Sequence, residues 1–250
     1  MKIDVHQLPA LVEPEAFRGT VAVVIDALRA TTTVCHALAA GAVAVEPFRT
    51  VDEARARREA VPDMLLGGER RGVIIDGFDL GNSPTSYTPA AVGGRTVGFT
   101  TTNGTKALWH AAAAEVVFAG SFCNATAVAD AAFDAATRHG DDAKIAILCA
   151  GSGGVISWED TLCAGLIVTR LNGRPDVKHG NDESRLAAAA TLAIGRAAGL
   201  DRLLTLGRGG RHVVGLGLEA DIAATAAVDS VPLVPVFDAA TGRIKKYRTV

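Results

Sequence analysis

The sequence predicts an α/β fold built on a largely parallel sheet. Short β-branched runs stop at polar or glycine-rich turns, and alanine-rich stretches of helical length follow those turns. The run Val21-Ala22-Val23-Val24-Ile25 is apolar at every position, as in a strand covered on both faces. Apolar residues make up 49% of the 250 residues but aromatics only 5%, so the core is mainly alanine and valine, which suits helices laid closely on strands.

Strand 21–25 ends at Asp26; residues 31–40 read as a helix with Gly41 at its C-cap, and 42–48 as the next strand. A second unit has strand 96–99, polar turn 100–105, helix 106–114 and strand 116–119. The two units share a threonine-rich turn and a helix carrying His36 or His110, the pattern a duplication would leave. Strand 144–149 runs into Gly151-Ser152-Gly153-Gly154, helix 159–171 follows, and 183–195 supplies another alanine-rich helix. Residues 232–237 and 243–247 read as strands flanking the turn 238–242. The polar break Arg138-His139-Gly140-Asp141-Asp142 divides the chain into α/β parts 1–138 and 139–250. Leu66-Gly67-Gly68-Glu69-Arg70 and Gly77-Phe78-Asp79-Leu80-Gly81-Asn82-Ser83-Pro84 have little apolar periodicity and read as loops that hold something polar, not as core.

Composition excludes several classes of function. The net charge is −2, with no basic stripe interleaved with aromatics, so no nucleic-acid surface is expected. No apolar run reaches the roughly 18 residues of a membrane span, and the N-terminus lacks a signal-peptide core. The expectation is a soluble cytoplasmic protein; its alanine- and valine-rich surface is compatible with a homodimer. Cys35, Cys123, Cys149 and Cys163 stand singly with no zinc-ligand spacing, which predicts buried free thiols.

In such sheets ligands gather where strand carboxyl ends meet helix N-termini. Asp26 sits at one such end, as either a turn acid or a metal ligand. Arg29 offers a forked donor for phosphate or sulfonate, and Thr31, Thr32 and Thr33 are either helix caps or further donors. Thr100-Thr101-Thr102-Asn103-Gly104-Thr105-Lys106 reads as a phosphate cradle or a heavily capped helix, without the P-loop spacing. Gly151 and Ser152 form a third turn, which does not match GxGxxG. Two or three of Asp26, Glu69, Asp76, Asp79, Glu159 and Asp160 converging would suit Mg²⁺, although Glu159 and Asp160 also fit a helix's first turn. His36, His110 and His212 are acid/base candidates, the first two equally readable as packed helix residues; no GxSxG elbow is present.

Taken together, Val24-Ile25-Asp26-Ala27-Leu28-Arg29-Ala30-Thr31-Thr32-Thr33, Leu66 to Arg70, Gly77 to Pro84 and Thr100 to Thr105 resemble the 2-phosphosulfolactate phosphatase family of coenzyme M and sulfolactate metabolism. Ser121-Phe122-Cys123-Asn124-Ala125, Leu148-Cys149-Ala150-Gly151 and Ser157-Trp158-Glu159-Asp160 fit too, with a fainter echo at Glu219-Ala220-Asp221-Ile222. Arg71 stands where a glycine is expected, Trp158 where a leucine is usual, and no cysteine follows Asp221-Ile222.

The resemblance implies a three-layer α/β/α fold with mixed, largely parallel sheets and two similar halves, dependence on Mg²⁺, and hydrolysis of a small anionic phosphate ester bearing a carboxylate and a sulfonate. On this reading Asp26, Glu69 and Asp79 hold Mg²⁺. Arg29, Arg70, Lys106 and the Asn103-Gly104-Thr105 turn, with Thr31, Thr32, Gly151 and Ser152, hold the substrate. Asp26 and one of Glu159 or Asp160 serve the chemistry, the latter as base for an attacking water. Two alternatives stay open: a phosphatase of another small phosphorylated acid, and a phosphometabolite-binding protein without catalysis.

Overall fold

The structure, a computed structural model, describes residues 1–140, 143–192, 194 and 199–248. The strands are β1 (Lys2–His6), β2 (Thr20–Ile25), β3 (Ala44–Pro47), β4 (Leu65–Arg70), β5 (Val73–Ile74), β6 (Thr96–Thr100), β7 (Val116–Gly120), β8 (Lys144–Cys149), β9 (Lys178–His179), β10 (Pro235–Asp238) and β11 (Arg243–Lys246). The helices are α1 (Ala30–Ala39), α2 (Val51–Ala60), α3 (Pro89–Val92), α4 (Gly104–His110), α5 (Ala125–Thr137), α6 (Trp158–Asn172), α7 (Asp182–Thr191), α8 (Leu200–Leu204), α9 (Arg208–Gly215) and α10 (Glu219–Ala226). The strands form a sheet in the order β5-β4-β6-β3-β11-β10-β7-β2-β8-β1-β9. The fold is α/β and the sheet is mixed but mostly parallel: the antiparallel pairs are those of the β10–β11 hairpin with its neighbours and of β5 with β4. Among the described residues, no helix is long and apolar enough to cross a membrane.

β2 shows why the sheet is buried on both faces. Its side chains alternate, so Val21, Val23 and Ile25 enter one apolar cluster with α5 and α6, while Ala22 and Val24 enter another with α1 and α4. The cysteines are free and buried, as their spacing predicts. The polar break after α5 leads into β8, which inserts between β1 and β2; Asp141 and Asp142 lie outside the described residues, as do 193 and 195 of the helix expected over 183–195.

One expectation is overturned. Leu65–Arg70 is not a loop but a mostly buried strand, parallel to β6. Its glycines are needed for packing. A Cβ at Gly67 would lie 2.2 Å from the Tyr87 hydroxyl, and one at Gly68 (φ +146°) would lie 2.0 Å from the Thr100 carbonyl oxygen. Sequence reasoning also passed over β1, α2 and α8–α10. A signal for α2 was present: Thr50 and Glu53 form a capping box at its N-terminus.

Two local constraints generate predictions. Gly165 lets α6 cross α7 closely, since a Cβ there would lie 1.9 Å from the Ala187 carbonyl oxygen. Gly165→Ala is expected to destabilise the fold by about 1–3 kcal/mol in urea titration, through overpacking. Glu46 on β3 receives Arg57 of α2 at 2.8 Å and Arg243 of β11 at 2.9 Å, tying the hairpin to its neighbours. Burial alone would raise the Glu46 carboxyl, but the two guanidiniums outweigh it and hold the group below its ordinary range. A depressed carboxyl stabilises the fold above its unfolded pKa and loses that contribution as pH falls through the folded value. Glu46→Gln should cost about 1–2 kcal/mol at pH 7 and converge on the wild type in acid, when both are unfolded by urea across a pH series.

Candidate active site

The carboxyl ends of β2, β4, β6 and β8 converge on a cleft of about 330 Å³, closed on its far side by α9. Asp26, Arg29, Glu69, Asn103 and Ser152 line it, together with Thr102 of the expected cradle and Asn82 of the expected polar loop, and so do residues that sequence reasoning did not assign: Arg71, Gly72, Arg208 and Gly209. His212, an acid/base candidate from the sequence, also lines the cleft, whereas His36 and His110 do not. A larger hollow of about 610 Å³ lies beside Met1, Lys2 and Ala143 at the amino ends of β1 and β8, away from these groups.

Asp26 follows β2 directly and is buried. Its carboxyl is pushed up to about 7 by burial and by the neighbouring Glu69 and Glu159, against the backbone N–H groups of Ala30 and Gly104. Gly104 makes this approach possible, because a Cβ there would lie 2.7 Å from Asp26 Oδ2. Glu69, at the end of β4, accepts the Thr102 N–H and hydroxyl at 2.9 Å on Oε1 and the Gly72 N–H at 2.7 Å on Oε2.

The two acids opening α6 have different surroundings. Asp160 accepts the Ala27 N–H at 2.9 Å and the Gly151 N–H at 3.0 Å, one on each oxygen, and so binds the loop after β2 to the loop after β8. Glu159 packs against Gly207 and Gly209, and its buried Oε2 has no hydrogen-bond partner among the described residues. Burial raises both carboxyls, Asp160 also through Asp26 and Glu159 beside it. Asn82 Oδ1, at the cleft wall, is likewise buried without a partner among the described residues.

Several expected ligand groups are engaged elsewhere. The Thr31 hydroxyl accepts the Asp26 N–H and donates to the Asp26 carbonyl, and the Thr32 hydroxyl donates to the Ala27 carbonyl beside Ser121, so both close the turn instead of facing the cleft. Thr105, in the first turn of α4, exchanges similar bonds with Thr101. Arg70 reaches its neighbour's carbonyl and the Thr100 hydroxyl, Lys106 is exposed, and Gly151 serves Asp160. Asp79 binds the Leu66 N–H at 2.7 Å and Arg58 at 2.5 Å, outside the cleft lining; Leu66 and Arg58 claim its carboxylate. Among the described residues, no three of the His, Cys, Asp and Glu side chains form a ready-made metal cluster. Asn103 accepts the Gly153 N–H at 3.2 Å, joining the second and third turns.

Arg29 is buried and pairs with Asp221 of α10 at 2.6 Å; its other nitrogen donates to the Gly72 carbonyl at 2.9 Å. Asp221 also receives the Ser83 hydroxyl at 2.5 Å. One buried carboxylate thus holds three segments of the cleft wall. Asp221→Ala leaves a buried guanidinium without its counterion and is expected to cost about 3–5 kcal/mol in urea unfolding, against about 1–2 kcal/mol for Ser83→Ala.

The family model for 2-phosphosulpholactate phosphatase matches residues 6–240. A protein of Symbiobacterium thermophilum, described as a probable 2-phosphosulfolactate phosphatase, is 42% identical over 226 residues, covering 89% of this chain and 93% of its own. Similarly described proteins of Deinococcus radiodurans (41% identical, covering 89% of each chain) and Caldicellulosiruptor saccharolyticus (43% identical, covering 71% of this chain and 73% of its own) also match. The chain belongs to the 2-phosphosulpholactate phosphatase family, a family of phosphoric monoester hydrolases.

Proposed function

We propose that the chain hydrolyses 2-phospho-3-sulfolactate to 3-sulfolactate and inorganic phosphate, with Mg²⁺ as its cofactor. The observation that carries this reading is a single cleft in which the buried acids Asp26 and Glu69 face the guanidinium-bearing residues Arg29, Arg71 and Arg208. Acids beside cations suit a metal-assisted reaction on a polyanion.

The donor set fits Mg²⁺. That ion takes hard oxygens, needs only one or two protein carboxylates, and fills its other positions with water and phosphate. Asp26 and Glu69, both lining the cleft, would hold it. When bound, the ion supplies charge neutralisation at the transferring phosphoryl group and makes water more acidic.

The remaining work falls to the chain. Arg29, held by Asp221 and the Gly72 carbonyl, presents a fixed cation to the phosphate and loses little freedom on binding. Arg208 bridges to the Ser152 carbonyl and closes the opposite wall. Glu159 packs against Gly209 of the cleft wall without lining the cleft, and its burial-raised carboxyl is preferred to Asp160 as the acceptor of the attacking water's proton. Asp160, with both oxygens engaged, holds the two loops in place and moves no proton.

Phosphate release should be measured on phosphosulfolactate, phospholactate and phosphoglycerate, with Mg²⁺ and with chelator. Phosphosulfolactate should be turned over best, chelator should abolish turnover, and Asp26→Asn should lower it about 100-fold or more. Preference for either other ester would identify a different small phosphorylated acid as substrate, and no release from any ester would identify a binding protein.

A further inference from the structure

The turn between β4 and β5 consists of Arg71 and Gly72, and both have positive φ, +55° and +80°. Two-residue hairpin turns of this kind take asparagine, aspartate or glycine at the first position, because a larger side chain is disfavoured in the left-handed region. Arginine is therefore a poor choice on backbone grounds.

The turn is nonetheless held on three sides by cleft residues. Glu69 accepts the Gly72 N–H, Arg29 donates to the Gly72 carbonyl, and His212 Nε2 lies 3.2 Å from the Arg71 carbonyl, so that nitrogen carries the proton. A Cβ at Gly72 would strike Leu216 and His212, so the turn fits tightly against α9. Arg71 lines the cleft, yet its guanidinium makes no ion pair or hydrogen bond within the described protein. Arg29, by contrast, is already matched by Asp221, and Arg208 is tied to Ser152.

We propose that Arg71 is a specificity-determining residue: its guanidinium, carried on the locked turn at the cleft mouth, takes the sulfonate of the substrate. This rests on the phosphatase reading above; because glycine is expected at this position in the family, the contact is particular to this chain and adds to the anion binding of the rest of the cleft. A sulfonate keeps its charge at any working pH and is a weakly hydrated, diffuse anion, which suits a planar guanidinium at a solvent-facing position. The phosphate is left to the deeper Arg29 and the acids' cation.

The test compares wild type, Arg71→Gly and Arg71→Lys on phosphosulfolactate, on 2-phospholactate, which lacks the sulfonate, and on O-phosphoisethionate, which lacks the carboxylate. Glycine suits the positive φ, so Arg71→Gly should melt at or above the wild-type temperature. In that variant kcat/KM for both sulfonated esters should fall about tenfold or more relative to phospholactate, mainly through KM, with Arg71→Lys intermediate. Inhibition by 3-sulfolactate should weaken by the same factor and inhibition by lactate should not. An unchanged ratio between sulfonated and unsulfonated esters, or a loss that follows the carboxylate instead, overturns the assignment while leaving the phosphatase reading intact. If the wild type releases no phosphate from phosphosulfolactate, that reading fails first and the role of Arg71 with it.

Discussion

Like-charged carboxylates buried at one end of the sheet are the constraint on which the cleft depends. Burial raises the carboxyls of Asp26, Glu159 and Asp160, Asp26 also through Glu69 and Glu159 beside it, and Asp160 through Asp26 and Glu159. Each is accommodated differently. Asp160 is satisfied by two backbone amides, Glu69 by two amides and a hydroxyl, and Asp26 by helix-opening amides, while Glu159 keeps one oxygen without a partner among the described residues. The loops after β2, β4, β6 and β8 are held in register largely by these bonds, so the acids that make the cleft negative also build its walls.

Such crowding needs backbone close to side chain, and glycine provides it. Gly104 lets the start of α4 approach Asp26, Gly209 makes room for Glu159, and Gly68 lets β4 lie against β6 so that Glu69 reaches Thr102. On the opposite wall the contribution is ionic: Asp221 holds Arg29 and Ser83, so α10, near the end of the chain, fixes a group near its beginning. The cleft therefore pairs an acidic wall positioned by amides with a cationic wall positioned by one buried ion pair.

Much of this was legible in the sequence. An acid directly after an all-apolar strand, Asp26 after Ile25, marks a strand end in an α/β sheet, and the structure places Asp26, Arg29, Glu69, Asn103 and Ser152 around one cleft. The glycines of β4 misled because their reason is tertiary: Tyr87 and Thr100 forbid a Cβ there, and no local pattern records that. The threonines at positions 31, 32 and 105 were ambiguous between caps and ligands; their hydroxyls do neither and instead bond the backbone of the preceding turn. Asp79 looked like a cleft acid by proximity in sequence, but Arg58, a helix away, claims it. Arg208 and Asp221 join the site across long sequence separations, with only the faint echo around Asp221 as a hint.

The central claim is that the surplus negative charge at Asp26 and Glu69 is a cation site. Calorimetric titration of Mg²⁺ into metal-free protein, comparing wild type with Asp26→Asn and Asp79→Asn, tests it most directly. The account predicts uptake of about one ion per chain in the wild type and in Asp79→Asn, with binding lost in Asp26→Asn. Absence of binding in the wild type, or equal binding in Asp26→Asn, would contradict it.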